Sequence, residues 1–537
     1  MPSQSEISIQ KSEIPSGSLA LLLHAHLPFV RHPEHEEFFE EDWLFEAISE
    51  TYIPLIAMMR RLLRDGVPFK LTLSLTPPLC AMLEDELLRT RYRRHLDRTI
   101  RLAEREIDSN QAEPDRQELA RFYHASFTET RRLYQEWNGD LLGAFRQLRD
   151  AGVVELIASA ATHGLLPLLT PPAEAVRAQV RIGCDVFREC FQAEPTGFWL
   201  PECAYAPGLE EILQRENLRW FVVDAHAFSL AKPRPRRAVY APCFTAAGPA
   251  AFARDPESSR QVWSAESGYP GDPVYREFYR DVGFDREPDY VFADSPFKTP
   301  RFTGLKYHRI TGPDPHKELY QPAWAAEATR AHAAHFLSSR LRQLEQLPAS
   351  DFAPIVMMPF DAELFGHWWY EGPLFLENFI RQAATHADKI QLVTPSDYLA
   401  RNPTQEVIAP AASTWGENGY LAVWLDPSNA WIYPHLHAAA RRMTEVARRH
   451  VDTTDTTIER TLRQMARELL LMQSSDWAFL IRNGTARAYA ERRIHDHIAR
   501  FTRLYEELSA GRIDEVFLSE CEARDNLFPN LEWRHYL

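Results

Sequence analysis

The sequence predicts an α/β fold, a mainly parallel sheet or barrel followed by an all-helical C-terminal domain. Seven short and nearly continuous apolar runs alternate with helical stretches, which is the pattern of parallel strands covered on both faces. From Ala411 onward the pattern becomes helical throughout. A chain of 537 residues is also too long for one small core, so two or three packed units are expected.

The apolar runs predict the strands in chain order. They are Leu19–His24, Phe69–Leu75, Val153–Ala158, Gly197–Pro201, Trp220–Asp224, Pro354–Pro359 and Ile390–Thr394. Two stretches between them are too long for simple crossovers. We expect residues 84–149, which are charged and helix-rich, to form a helical excursion. Residues 227–308, which are rich in Pro, Arg and aromatic residues, predict an inserted lid or subdomain of loops and helices.

The C-terminal segment carries two apolar stripes at helical spacing, which predict core-facing helix surfaces. They consist of Leu462, Met465, Leu469 and Met472, and of Ala490, Ile494, Ile498 and Phe501. The predicted organisation is therefore a disordered tail over 1–17, an α/β domain over 18–410 that includes the insertion at about 227–308, and a helical domain over 411–537.

Composition excludes several classes of function. The formal charge of −15 disfavours nucleic acid and anionic membrane as partners, because both need a basic face. Six scattered cysteines without a C-x-x-C pair suit a reducing compartment, and no apolar run is long enough for a signal peptide or a membrane span. We therefore expect a cytoplasmic protein; nothing in the sequence favours one oligomeric state.

Polar residues follow five of the predicted strands, where a barrel collects its active site. His24 and His26 end the first strand and point to the same side; His163, Glu202 and Asp361 follow later strands. A carboxylate after a strand is often only a helix cap, and the histidines could be hydrogen-bonded core residues. Glu202, however, lies among apolar and aromatic neighbours, where an unused charge is costly.

Two carboxylates facing each other in a cleft lined by His and Trp fit glycosidic bond cleavage. One attacks the anomeric carbon, and the other protonates the departing oxygen. The thirteen Trp and nineteen Tyr also suit sugar binding, since aromatic faces stack on sugar rings. Two other classes stay open: a metal-dependent deacetylase using His24, His26 and the Asp224-Ala225-His226 group, and a non-catalytic glucan-binding protein.

Five separated motifs make the sequence recognisable. HAHLP (24–28), THGLLPLL (162–169), WLPECAY (199–205), PFDAELFGHWW (359–369) and TPSDYL (394–399) occur in one order. In this the chain resembles glycoside hydrolase family 57, and within it the 1,4-α-glucan branching enzymes. The resemblance covers nearly all of the chain after residue 18, and it implies a (β/α)7 barrel, an inserted subdomain and a helical C-terminal domain.

The resemblance also implies roles for individual residues, with an α-glucan as partner and no cofactor or catalytic metal. Glu202 is similar in position to the family's nucleophile and Asp361 to its acid/base. The other residues implied to bind substrate are His24, His26, Trp43, His163, Arg280, Gly304, Trp415, Trp424 and Asp476.

The family's branching members use a loop tyrosine to keep water from the intermediate. The corresponding region here, 227–254, contains Tyr240, with Phe252 near its end. Alignment with Phe252 would favour hydrolysis, so an α-amylase or a 4-α-glucanotransferase remains the alternative within the family.

Overall fold

The computed structural model describes residues 17–264, 267–312, 316–348 and 352–537. The predicted tail lies outside these residues, except for Gly17, which begins the first strand. The described chain folds into a mostly parallel sheet surrounded by helices. No helix among the described residues combines the length and the apolar character that a bilayer crossing requires.

All seven predicted strands are present in the sheet. The described strands are β1 (Gly17–Ala25), β2 (Leu71–Leu75), β3 (Val154–Ser159), β4 (Gly197–Trp199), β5 (Trp220–Val223), β6 (Cys243–Phe244), β7 (Ala250–Ala253), β8 (Ile355–Asp361), β9 (Ile390–Leu392) and β10 (Glu406–Val407). Their order in the sheet is β10-β6-β7-β5-β4-β3-β2-β1-β8, and β9 pairs with β1.

A parallel bridge between Arg254 and Met357 joins the end of β7 to β8 and closes the ring. The Asp255 N–H donates to the Met357 carbonyl at 2.8 Å at the same place. The predicted (β/α)7 barrel therefore consists of β1 to β5, β7 and β8. One predicted strand is not part of it, since β9 pairs only with the first three residues of β1, Gly17–Leu19.

The seventh barrel strand, β7, lies inside the segment predicted as an insertion. That part of the prediction is wrong: the chain from 227 to 254 contains β6 and β7, and the excursion begins only after Arg254. The reason is local. The strand AAFA offers one large apolar side chain, so its strand signal is too weak to detect by periodicity.

Alternate side chains of the strands fill the barrel interior. Leu22, Trp199, Trp220 and Phe252 belong to this interior cluster, and each is at most 1% exposed. His24 lies two residues after Leu22 on β1 and so points the same way, at the C-terminal mouth. The packed interior forms the floor on which the polar residues of the mouth rest.

Helices cover the outside of the barrel and extend from it. They are α1 (Asp42–Ala47), α2 (Ile53–Arg64), α3 (Pro77–Glu84), α4 (Glu86–Ser109), α5 (Pro114–Glu136), α6 (Leu141–Asp150), α7 (Ala173–Phe191), α8 (Leu209–Arg215), α9 (Ala225–Ser229), α10 (Pro256–Trp263), α11 (Val282–Asp285), α12 (Pro288–Val291), α13 (Pro322–Glu345), α14 (Gly372–Ala384) and α15 (Pro395–Arg401). A π-helical turn, Ile48–Tyr52, joins α1 to α2. The expected helical excursion is present as α4 to α6.

Five helices form the C-terminal region: α16 (Ile432–Arg449), α17 (Thr456–Met472), α18 (Ser475–Asn483), α19 (Arg487–Ser509) and α20 (Glu515–Arg524). Both predicted stripes face inward, since all their members except the partly buried Ile498 are at most 1% exposed. Helix α18 begins at the barrel mouth, where the Ser475 N–H donates to the His163 carbonyl at 3.1 Å. The region therefore contributes directly to the cleft.

Candidate active site

Glu202 follows β4 on a single turn, Pro201–Cys203. Its backbone is left-handed, with φ of 61°, a conformation that costs free energy for a residue other than glycine and is concentrated at functional sites. The backbone is held by two neighbours: the Cys203 N–H donates to the Leu200 carbonyl, and the Trp415 N–H donates to the Glu202 carbonyl at 3.1 Å. The turn directs the carboxylate into the cleft.

Two donors fix the Glu202 carboxylate. Trp415 Nε1–H donates to Oε2 at 2.9 Å, and the Ser475 hydroxyl donates to Oε1 at 3.0 Å. Burial raises the pKa of Glu202, while the bonds from Trp415 and Ser475 lower it. Both donors stabilise the ionised form and orient it. The net pKa of Glu202 is still raised, because burial outweighs the two bonds, but the bonds give the carboxylate a defined direction.

A chain of hydrogen bonds runs from Ser475 into the barrel. Because Ser475 donates to Glu202, its oxygen accepts from His163 Nδ1–H at 2.9 Å. A neutral His163 then accepts at Nε2 from His24 Nε2–H at 3.0 Å, and His24 Nδ1 accepts from the Ser74 hydroxyl at 3.2 Å. Burial is the main cause that lowers the pKa of both imidazoles well below the ordinary value. Both rings are therefore neutral at pH 7.

His26 differs from these two histidines. Its Nε2–H donates to Asp476 at 2.9 Å, and its Nδ1–H donates to the Thr76 hydroxyl at 2.9 Å. Burial would lower the pKa of His26, but the Asp476 charge and hydrogen bond raise it. Its ring stacks on His163, with centroids 3.8 Å apart. The cleft thus holds one imidazole that favours the charged form beside two neutral ones.

Asp361 ends β8 directly beside His24 in the sheet register. Burial, followed by the charges of Glu363 and Glu202, raises the pKa of Asp361 well above its ordinary value. His24 connects the two carboxyls to one cleft, because Asp361 is its neighbour in the sheet and Glu202 is reached from it through His163 and Ser475. Their environments differ, because Glu202 has two anion-stabilising donors while burial and two like charges act on Asp361. Such a division of pKa values is typical of an acid/base pair.

Glu363 is a third carboxyl in the cleft, two residues after Asp361. It accepts from the Tyr52 hydroxyl at 2.5 Å and from the His26 N–H at 3.1 Å. Burial raises its pKa to about 7. The π-helical turn that carries Tyr52 is a feature often found at functional sites.

The other residues implied to bind substrate lie further out. Trp43 is partly buried in α1, where its ring meets Tyr489 edge to face at 5.9 Å. Arg280 pairs with Asp285 at 3.1 Å in the excursion after β7. Gly304 has φ of 81°, and its N–H donates to Asp281 at 3.0 Å.

Trp424 does not have the geometry predicted for it. Its side chain is only 2% exposed and packs beneath Gly416, where an added Cβ would come within 2.5 Å of the indole ring. A buried ring cannot present a face to a sugar. We therefore correct the role of Trp424 from substrate binding to support of the segment that carries Trp415.

Neither candidate for the loop tyrosine lies at the mouth. The Tyr240 carbonyl accepts from the N–H of Ile355, the first residue of β8, so Tyr240 lies at the opposite end of the barrel. Phe252 is part of the barrel interior. The β6–β7 part of the segment 227–254 is therefore no lid over the cleft, and neither Tyr240 nor Phe252 occupies the position expected of a loop tyrosine at the mouth.

The metal hypothesis named a group that the structure separates. His26, His163 and Asp476 are the cleft residues whose possible ligand atoms lie within 4.8 Å of one another. Asp224 and His226 instead pair with each other at 3.1 Å, and Asp224 also accepts from Arg254 at 3.3 Å.

Sequence reasoning missed several residues that contact the predicted site, among them Ser475, Tyr52 and Arg254. Ser475 and Tyr52 donate to the carboxyls described above, and Arg254 lies over the Trp415 ring at 5.7 Å. The available sequence signal for Ser475 was its position next to Asp476 in the SSDW motif. No sequence pattern indicates Tyr52 or Arg254, because these residues reach the cleft only through tertiary packing.

Two family models match this chain, one over the barrel region and one over the C-terminal helices. The model described as glycosyl hydrolase family 57 matches residues 20–411, and the model described as 1,4-alpha-glucan branching enzyme, C-terminal, matches residues 435–536. Among characterised relatives, a 1,4-alpha-glucan branching enzyme of Thermococcus kodakarensis is 36% identical over 95% of this chain and 77% of its own length.

Solved structures show the same architecture. An α-amylase of Thermotoga maritima is 42% identical, with a TM-score of 0.90 over 97% of this chain and 99% of that one. A branching enzyme of family 57 type from Pyrococcus horikoshii is 35% identical, with a TM-score of 0.87 over 97% of both chains. The two differ in the activity their names state, although both share this fold.

Proposed function

This chain belongs to glycosyl hydrolase family 57, and from that premise we propose that it is a 1,4-α-glucan branching enzyme. It cleaves an α-1,4 bond of an α-glucan and transfers the released chain to a glucan hydroxyl, forming an α-1,6 branch. Both the named relative and the C-terminal family match support this activity.

One observation carries the proposal. The region matched by the branching enzyme C-terminal model supplies Ser475 to Glu202 and Asp476 to His26. These two contacts make the C-terminal region a structural part of the cleft. The region that the branching enzyme model matches is therefore also the region that completes the proposed catalytic centre.

In the proposed mechanism, Glu202 attacks the anomeric carbon while Asp361 protonates the departing glycosidic oxygen. The raised pKa of Asp361 keeps its proton available at neutral pH. Burial also raises the pKa of Glu202, and the bonds from Trp415 and Ser475 oppose that rise and so favour its ionised form. A covalent glycosyl-enzyme results.

In the second step Asp361, now ionised, takes the proton of an acceptor hydroxyl, which attacks the same carbon and releases Glu202. Two displacements retain the α configuration. Neutral His24 and His163 are bonded to each other and to Ser74 and Ser475, so they position the Ser475 hydroxyl against Glu202. His26, held between Thr76 and Asp476, contributes positive charge beside the carboxylates.

Hydrolysis is the second candidate, since the Thermotoga maritima structure is named an α-amylase. The two activities differ only in whether water or a glucan hydroxyl accepts the chain. Incubation of the purified protein with amylose, followed by counting α-1,6 linkages and reducing ends, separates them. New reducing ends without new branch points would refute branching.

The proposal also covers the pathway, the cellular compartment and the metal requirement of the enzyme. We place the enzyme in glycogen-type glucan synthesis in the cytoplasm, and all six cysteines are unpaired and buried, as suits a reducing compartment. Catalysis by two carboxyls requires no metal, so activity should survive exhaustive chelation. Loss of activity that added divalent metal restores would contradict this part.

A further inference from the structure

An exposed aromatic surface lies on the same face of the barrel as the catalytic cleft. Its main members are Trp368, 53% exposed, and Tyr279, 72% exposed. Trp368 belongs to the loop that follows Asp361, and its N–H donates to the Glu363 carbonyl at 3.1 Å. Tyr279 belongs to the excursion after β7. Both segments start from C-terminal strand ends, so the surface is continuous with the cleft.

The Trp368 ring is held in one orientation. It stacks on Phe278 with centroids 4.5 Å apart and planes 25° apart, which leaves its other face open. Phe278 itself is fixed from below by the buried Lys306, whose ammonium lies 4.1 Å from the ring centroid and donates to the Phe278 carbonyl at 2.7 Å. A rigid and exposed aromatic face loses little entropy when it binds a ligand.

Polar groups of limited exposure stand beside this ring. His367 Nδ1 contacts Glu50 at 2.9 Å and Glu46 at 3.6 Å, and its ring meets the Trp368 ring at 5.1 Å. The Glu46 and His367 side chains are 13% and 15% exposed. Glu50 is also paired with Arg276 at 2.8 Å. Among the described contacts Glu46 has no ion pair as short as those of Glu50. Its carboxyl can therefore form hydrogen bonds with hydroxyl groups of a ligand.

We propose that Trp368 and Tyr279, together with Glu46 and His367, form an outer α-glucan subsite at the rim of the cleft. The inference rests on the proposed function, since it assigns the surface to the same substrate. Stacking faces with adjacent carboxyl and imidazole groups are the chemistry that recognises a chain of glucose units. The subsite holds a glucan several units from the scissile bond and favours long chains over short ones.

Single substitutions in two backgrounds test the subsite. Trp368→Ala and Glu46→Gln are compared with Trp324→Ala, which removes a tryptophan of similar exposure, 56%, from α13. In the Glu202→Gln background, calorimetry measures the Kd for maltoheptaose and for amylose. In the otherwise unchanged enzyme, KM is measured for both substrates.

Trp368→Ala should weaken amylose binding about three- to tenfold, the worth of one aromatic contact, and raise the amylose KM by a similar factor. Trp368→Phe should restore most of the loss, and Trp324→Ala should match its parent. Equal amylose affinities for Trp368→Ala and Trp324→Ala would overturn the inference. If the unsubstituted enzyme turns over no glucan but the Trp368→Ala loss of binding persists, the proposed function fails while the subsite stands.

Discussion

Replacing Asp476 by Asn tests whether the C-terminal region holds the cleft together by charge. Asp476 accepts from His26 Nε2 at 2.9 Å, and the two side chains are 17% and 11% exposed. Asn keeps the shape and one acceptor oxygen but removes the negative charge. The substitution therefore isolates the electrostatic part of the contact between α18 and the end of β1.

The expected loss of stability follows from the shifted pKa of Asp476. Burial alone would raise the pKa of Asp476, but the charge and hydrogen bond of His26 lower it from 3.8 to about 2. At about 1.4 kcal/mol for each pKa unit, this difference corresponds to about 2 kcal/mol of stability. The raised pKa of His26 reflects the same interaction, so the energy is counted once.

The pH dependence has a defined window. An acid with a depressed pKa stabilises the fold above its unfolded value, and this contribution disappears as the pH falls from about 4 toward 2. A histidine with a raised pKa stabilises the fold below its unfolded value of 6.5, and this contribution disappears as the pH rises through its folded pKa. The stability difference between parent and Asp476→Asn should therefore be largest between about pH 4 and 6.5.

Urea unfolding at a series of pH values, followed by tryptophan fluorescence, measures this difference. The midpoint of Asp476→Asn should fall below that of the parent most strongly inside the window. Asp150→Asn, at an exposed carboxylate that pairs with Arg149, serves as the control and should follow the parent at every pH. A constant gap across the range, or one as small as the control's, would refute the charge argument.

Three further outcomes are expected. Asp361→Asn should lower kcat about 10²- to 10⁴-fold, and its pH–rate profile should lose the alkaline limb; an unchanged limb would assign the proton to another group. Trp415→Phe removes a donor that lowers the pKa of Glu202, so the acid limb of kcat/KM should move to higher pH, and a fixed limb would contradict this. Gly183→Ala places a Cβ 2.0 Å from the Ser159 carbonyl, so thermal unfolding should reveal a loss of about 1–3 kcal/mol, and an unchanged Tm would argue against that packing.

The sequence was informative wherever the physics is local. Buried parallel strands need continuous apolar runs, so all seven predicted runs proved to be strands. Alternation along β1 correctly predicted that His24 and His26 face one cleft, and helical spacing identified the buried stripes of α17 and α19. In each case the period of the backbone alone determines which side a residue faces.

The sequence was misleading where local signals are weak. The strand β7 has only Phe252 as a large side chain, so the segment around it was interpreted as an insertion. The resemblance suggested that Tyr240 or Phe252 occupies the position of the family's loop tyrosine, although one lies at the far end of the barrel and the other in its interior. Trp424 is a residue type that often binds sugars, but here its ring is buried against neighbours such as Gly416. Sequence alone does not reveal that burial.

By itself the sequence determined the strands, the helical C-terminal region and the residues that end the strands at the barrel mouth. Only the tertiary structure decided which strands close the ring and which donors meet Glu202. Ser475 is 273 positions away from Glu202 in the chain, and Tyr52 is 311 positions away from Glu363. No periodicity relates such residues, because their distance is set by how β1, β8 and α18 pack together rather than by the backbone between them.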